Sequence, residues 1–294
     1  MPPKPPNDGA LFVVATPIGN LDDLTPRAVD VLSRVPLVLC EDTRHTGGLL
    51  RHLGATPRSL SLHAHNEVAR IEGVLSHLRG GADAALVSDA GTPCLSDPGA
   101  RLVDAVQLSG LPVVSLPGPF AGAVALAGAG LCTSAFSFWG FLPKKSAARR
   151  TALTDRLKPG PNGALHSHVF YVPGRDVPAV CDDINATAPN ARVAVARELT
   201  KIHEGYVRGV AAAVKAQLSE EMQRGEAVVI IEVDAETAAV VQVPVPVDEL
   251  LSEAIAAGED RKTALRRIAK QTGKGRRELY ARWTALTKDA GAAE

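Results

Sequence analysis

Between Leu11 and Gly130 short apolar runs alternate with stretches of helical periodicity, the signature of βα units wound into a largely parallel sheet. Strands are expected at Leu11–Ala15, Leu37–Cys40, Ala84–Val87 and Val113–Leu116, with a weaker one at Ser59–Leu62. Helices are expected near 25–34, 45–53, 66–79, 98–109 and 120–129. Thr25-Pro26 supplies a capping hydroxyl followed by proline at the first turn. The loops that leave the strands are rich in glycine, proline and small polar residues: Thr16–Leu21, Glu41–Arg44, Ser88–Gly99 and Pro117–Pro119. In a parallel sheet they emerge on one edge, so they are expected to converge on one cleft.

Ser88–Gly99 is the most informative of these loops. It holds two carboxylates (Asp89 and Asp97), two glycines and two prolines between a strand and a helix. Glycine lets backbone approach a ligand closely, and proline removes freedom the loop would lose on binding. Asp97-Pro98 reads as a helix N-cap with proline at the first helical position. The GxGxxG fingerprint, the GxxxxGK[ST] phosphate loop and the G-x-S-x-G elbow are all absent, which argues against a Rossmann dehydrogenase, a P-loop nucleotidase and a serine hydrolase. The eight histidines lack metal-ligand company, so no metal site is expected.

From Lys144-Lys145-Ser146 through Arg149-Arg150 the chain reads as an exposed linker entering a helix. A second α/β region follows, with strands at His168–Val172, Val193–Ala196 and Ala227–Val233 and helices near 176–186 and 209–223. The organisation expected is a disordered N-terminal arm (1–9), an α/β domain (10–139), a second α/β domain (140–243) and a basic helical tail (244–294). Net charge is zero, yet between Gly258 and Lys288 ten Lys or Arg stand against three acids. A neutral body with a basic end points to a polyanionic partner, and two short basic helices around Gly273 resemble a helix-turn-helix. Four widely spaced cysteines form no CxxC pair, which fits reduced thiols in the cytoplasm. Met1–Asp8 lacks the apolar core of a signal peptide, and no membrane span is expected.

Several blocks together resemble one family. Thr16-Pro17-Ile18-Gly19-Asn20-Leu21, Glu41-Asp42-Thr43-Arg44-His45-Thr46, Ser88–Pro93, Asp97-Pro98-Gly99, Pro117–Pro119, Gly140–Pro143 with Lys145 and Arg149-Arg150, and Ala196–Lys201 are similar to the bacterial 16S ribosomal RNA (cytidine 2′-O)-methyltransferases of the tetrapyrrole (precorrin) methylase superfamily. The resemblance covers about residues 10 to 233. It implies two α/β domains with an S-adenosylmethionine cleft between them, unlike a Rossmann fold, together with the small C-terminal helical domain. It also implies a homodimer that methylates the ribose 2′-hydroxyl of a cytidine in the decoding region of 16S RNA.

Carried over by position, the resemblance puts the cofactor against Pro17, Gly19, Ser88, Asp89, Ala90, Gly91, Thr92, Pro117, Gly118, Pro119 and Ala121 from the first half. From the second half it adds Tyr171, Ala196, Arg197, Gly225 and Glu226. Asp89 is the carboxylate expected to hold the sulfonium charge. For the proton of the hydroxyl, Asp42, Glu41, His65 and Glu198 all remain open, with Asp42 or Glu198 expected to orient it. RNA phosphates are expected at Arg44, Lys144, Lys145, Arg149 and Arg150, and in the tail at Arg266, Arg267, Lys274, Arg276 and Arg277. Val172-Pro173-Gly174-Arg175 departs from the family's acid and Ser-Pro-His-Arg, and His63-Ala64-His65 lacks the family's frequent Asp between the histidines. A corrin-precursor methylase or a protein-directed relative shares the fold but needs no basic tail. An RNA-binding protein with a dead cofactor pocket is the non-enzyme alternative.

Overall fold

A computed structural model describes residues 8–239, 247–272 and 274–290. The chain enters through β1 (Leu11–Val14), α1 (Pro26–Arg34), β2 (Leu37–Cys40), α2 (Thr43–His52), β3 (Arg58–Ser61), α3 (Glu67–Arg79), β4 (Ala84–Leu86), α4 (Ala100–Leu108) and β5 (Val113–Leu116). These five strands form one sheet in the order β3-β2-β4-β1-β5, parallel throughout. Its inner strands are apolar on both faces. Leu37 and Leu39 pack toward α3 and α4, while Val38 and Cys40 pack toward α1 and α2. Thr25 Oγ1 accepts the Ala28 N–H at 3.2 Å with Pro26 next in line, so α1 starts where its sequence indicates.

After α5 (Ala121–Ala129) the chain builds a second sheet. Its elements are β6 (Phe136–Phe141), α6 (Ser146–Arg156), β7 (His166–Pro173), α7 (Val177–Thr187), β8 (Arg192–Arg197), β9 (Gly205–Val210), α8 (Ala211–Gln217) and β10 (Glu226–Val233), followed by the short α9 (Ala235–Ala239). The order is β6-β7-β10-β8-β9, antiparallel except for the β6–β7 pair. One face carries Phe170, Val195 and Val229 against α6, α7 and α8. The other carries Val169, Ala194 and Ile230 against Ala125, Leu126 and Ala129 of α5. The helix that follows the first sheet thus packs on the second, and their common core runs out to Ile18, Tyr171 and Leu199.

The structure differs from the sequence expectations in several places. Phe136–Phe141 is a strand of the second sheet, so sheet membership changes upstream of residue 140. The stretch 209–223 is not one helix, because Gly205–Val210 is an edge strand and α8 ends at Gln217. Both unforeseen strands are sheet edges containing glycine, where alternation is weakest. Gly9 is not loose, since its N–H donates to the Leu78 carbonyl at 2.7 Å. Residues 1–7, the Val243–Pro246 separator and Gly273 lie outside the described residues.

The tail comprises α10 (Val247–Ala256), α11 (Arg261–Thr272) and α12 (Arg276–Ala290). Leu250, Leu251, Ala264, Ile268, Leu279 and Trp283 enclose a core of its own. No helix among the described residues is long and apolar enough to cross a membrane.

Candidate functional site

At the carboxyl edge of the first sheet the β1 and β4 loops are stitched together. Thr16 and Gly91 exchange both backbone hydrogen bonds, at 2.9 and 3.0 Å. Thr16 Oγ1 donates to the Ser88 carbonyl at 3.0 Å, and Ser88 Oγ donates to the Gly91 carbonyl at 3.1 Å. Thr92 Oγ1 reaches the Pro119 carbonyl at 2.8 Å, which adds the β5 loop to the assembly. β1 and β4 are neighbours while the chain leaves them toward opposite sheet edges, so this is the topological switch point.

Against these loops the second sheet sets the ends of β7, β8 and β10 and the turn between β8 and β9. The enclosed cleft measures about 320 Å³, a size suited to a small-molecule ligand. Ile18, Leu95, Phe120, Leu199 and Val228 give it apolar walls. Asp97, Glu198, Glu226, Arg197 and Lys201 give it charge. Backbone strain gathers on both sides. Cys94 and Ser96 sit at φ +70°, Glu198 at +49° and Thr200 at +66°, a conformation costly for residues with a Cβ. Gly19 lies so close to the β8–β9 turn that a Cβ there would stand 2.7 Å from Lys201 Cγ and 3.0 Å from the Leu199 carbonyl oxygen.

Asp97 is the feature sequence reasoning missed. Helix α4 is preceded by Gly99 at φ +122°, with no side-chain cap from Asp97. The Leu102 N–H in its first turn is taken instead by Glu67 of α3, at 3.0 Å. Freed from capping, Asp97 lines the cleft, and the Asp97-Pro98 N-cap reading is corrected. Burial pushes its carboxyl up to about 6, reinforced by the negative charges of Glu41, Asp89 and Glu226. Tyr171 is likewise pushed up to about 12, first by burial and further by Asp97 and Glu226, although the Gly122 backbone partly opposes this.

Residues 10–215 match the family described as tetrapyrrole (corrin/porphyrin) methylases. The chain belongs to that family. Its sequence is 44% identical over 227 residues to the ribosomal RNA small subunit methyltransferase I of Xylella fastidiosa, covering 76% of this chain and 81% of that protein. The protein of the same name from Synechocystis is 40% identical over 273 residues, covering 92% and 96%. Among solved structures, the uroporphyrin-III C-methyltransferase of Thermus thermophilus complexed with S-adenosyl homocysteine superimposes with a TM-score of 0.51 at 16% identity, over 76% of this chain and 97% of that one. That likeness establishes the tetrapyrrole methylase fold.

In this tetrapyrrole methylase most of the expected ligand contacts are spread over three hollows. Ala90, Gly91, Thr92, Ala121, Tyr171, Ala196, Arg197, Glu198, Gly225 and Glu226 line the cleft. Pro17, Ser88 and Asp89 instead line an adjoining hollow of about 440 Å³ with Arg44, His45 and His52. The Asp89 Oδ1 accepts the Asp42 N–H at 3.2 Å. Gly19 lines a third, shallower hollow with Asn20 and Thr200–His203. Pro117 and Gly118 are not among the lining residues, and a Cβ on Gly118 would meet Ala15 Cβ at 2.7 Å. Pro119 contributes the carbonyl that holds Thr92.

Asp42 is a helix cap. It accepts the Arg44 N–H at 2.8 Å and pairs with the Arg44 guanidinium at 2.9 Å, and these bonds hold its carboxyl down at about 2. Glu198 shares its carboxylate with Lys201 Nζ at 3.2 Å inside the cleft. Arg149 is not an exposed cation. Its side chain is 6% accessible and ion-paired to the buried Asp183 at 2.6 Å, with its guanidinium also donating to the Pro143 and Lys144 carbonyls. Arg150 also bonds Asp183 at 2.6 Å, while Lys144 and Lys145 stand exposed. In the tail Arg267 is held by Glu259 and Lys274 by Glu278, whereas Arg266, Arg276 and Arg277 are exposed. In the departing Val172–Arg175 segment, a Cβ on Gly174 would stand 2.7 Å from the Arg224 carbonyl oxygen, so close packing requires glycine there.

Proposed function

We propose that this chain is an S-adenosylmethionine-dependent methyltransferase acting on the ribose 2′-hydroxyl of a cytidine in 16S ribosomal RNA of the small subunit. The name borne by relatives at 40–44% identity supports the small-subunit RNA as substrate. The observation that carries the reading is the cleft itself, where apolar walls suited to an adenosine meet carboxylates suited to a cationic donor. Residues of both halves fit that molecule: Ala90–Thr92, Ala121 and Tyr171 as walls, with Asp97 and Glu226 as anionic groups.

When bound, S-adenosylmethionine supplies an activated methyl group for in-line displacement at carbon. The protein's part is then alignment and exclusion of water, effects that together lower such barriers by about 7–11 kcal/mol. The Ser88–Gly91 backbone walls the cleft on one side and the Arg44, His45 and His52 hollow on the other. We place the acceptor ribose over that wall, with Arg44, Lys144 and Lys145 holding neighbouring phosphates and the tail's exposed arginines extending the contact. Glu198, the proposed catalytic carboxylate within the cleft, orients the hydroxyl, with Lys201 Nζ holding its side chain at 3.2 Å. Asp42 serves the local fold as the cap of α2.

The deciding experiment is transfer of labelled methyl from S-adenosylmethionine to small subunits lacking the modification, followed by nucleoside analysis. A 2′-O-methylated cytidine is expected. Labelled protein, base-methylated nucleoside or no transfer would overturn the assignment.

A further inference from the structure

The cleft's charge is unbalanced at one end. Lys201 is committed to Glu198 at 3.2 Å, and Arg197 donates to the Glu221 carbonyl at 3.3 Å. Among the described residues, no hydrogen bond or ion pair reaches the carboxylate of Asp97. Three negative groups act on it, Glu41 after β2, Asp89 in its own loop and Glu226 at the start of β10, while the cations Arg197 and Lys201 line the same cleft. The Tyr171 hydroxyl from β7, itself in the field of Asp97 and Glu226, brings no charge to balance them. The local backbone is built around this position. Gly99 at φ +122° lies where a Cβ would stand 2.6 Å from Leu86 Cδ2, and Glu67 accepts the Leu102 N–H in the first turn of α4.

A methyl donor and its spent product differ by one charge at sulfur: the sulfonium is cationic and the thioether neutral. We propose that Asp97 is the carboxylate that distinguishes them, binding the charged donor in preference to the product and so favouring product release after transfer. This rests on the reading of the cleft as an S-adenosylmethionine site. A cation entering the cleft supplies the missing charge, whereas a neutral sulfur leaves the carboxylates repelling one another. Linkage sets the size of the effect. Each unit by which the donor lowers the Asp97 pKa corresponds to a tenfold gain in donor affinity above that pKa, and to proton release on binding near pH 6.

The test is calorimetry on the full chain with S-adenosylmethionine and S-adenosylhomocysteine, wild type against Asp97→Asn, in buffers of different ionisation enthalpy. The substitution is expected to weaken the donor by about tenfold and the product by less than about twofold. In the wild type at pH 6, donor binding is expected to release protons and product binding to release few. Equal loss of both ligands, or no loss of the donor, would overturn the proposal. Failure of the wild type to bind either ligand would remove the cofactor reading itself, and the inference with it. Should Asp97→Asn fail to fold, the wild-type donor-to-product affinity ratio between pH 5 and 7.5 decides alone: a rise with pH supports the proposal and a flat ratio refutes it.

Discussion

Glu67 Oε1, projecting from α3, accepts the Leu102 N–H of α4 at 3.0 Å. This cap comes from a residue 35 positions away, buried at 5% accessibility. The loop before α4 holds Cys94 and Ser96 in the left-handed region and presents Asp97 to the cleft. Glu67→Ala is expected to cost about 1–3 kcal/mol, because it leaves a buried donor unpaired. Glu67→Gln, which keeps an acceptor oxygen, is expected to cost less. Chemical denaturation of both variants checks the order.

Asp183 is a hub, taking hydrogen bonds from Ser146, Arg149 and Arg150 at 2.6–2.7 Å. Asp183→Ala strands the Arg149 charge in the interior and is expected to destabilise by about 3–5 kcal/mol in urea melts. Replacing Lys144 and Lys145 together by Ala is expected to leave the melting curve unchanged and to lower RNA affinity. Equal stability loss in the two variants would contradict this division between structural and exposed cations.

The pH dependence of the ligand-free chain carries the signature of Asp97. Its folded-state pKa of about 6 lies above the ordinary carboxylate value, so the folded state holds the proton more tightly than the unfolded chain does. Ionisation therefore destabilises the fold. The penalty is absent below about pH 4, develops between pH 4 and 6, and is complete above pH 6. Asp97→Asn is expected to raise stability by about 1–2 kcal/mol at pH 7.5, after discounting for partial solvent screening, and to change little at pH 4. Melting series at the two pH values test the sign.

The hydrogen bonds and ion pairs described for α10–α12 run among those helices, with Arg282 bridging Asp248 and Glu278. Together with its separate apolar core, this predicts that a chain ending at residue 239 keeps its cofactor affinity. The same truncation is expected to weaken RNA binding and to flatten its dependence on salt, by about 0.7–0.9 logarithmic units for each phosphate that the shortened chain leaves unneutralised. A salt slope identical in both chains would leave the tail a structural cap.

Much of the fold was legible in the residues themselves. The apolar runs of β1, β2 and β4 are buried on both faces, so local composition and burial agree. Edge strands β6 and β9 escaped because a half-exposed strand containing glycine has no such run. The site was legible as a set of loops, since βα loops of a parallel sheet must share an edge, but its internal division was not. Asp89 and Asp97 lie in one loop and are chemically identical, but the first accepts the Asp42 N–H beside the adjoining hollow while the second lines the cleft. Arg149 and Lys145 likewise read alike along the chain, until Asp183 draws one of them inside. The sequence alone determined the strand-and-loop framework and the place where the loops meet, because periodicity and turn chemistry are local. The tertiary structure alone decided which charges face the cleft, because a side chain's partner can come from residues far away in sequence: Asp183 meets Arg149 inside, while Asp97 meets none.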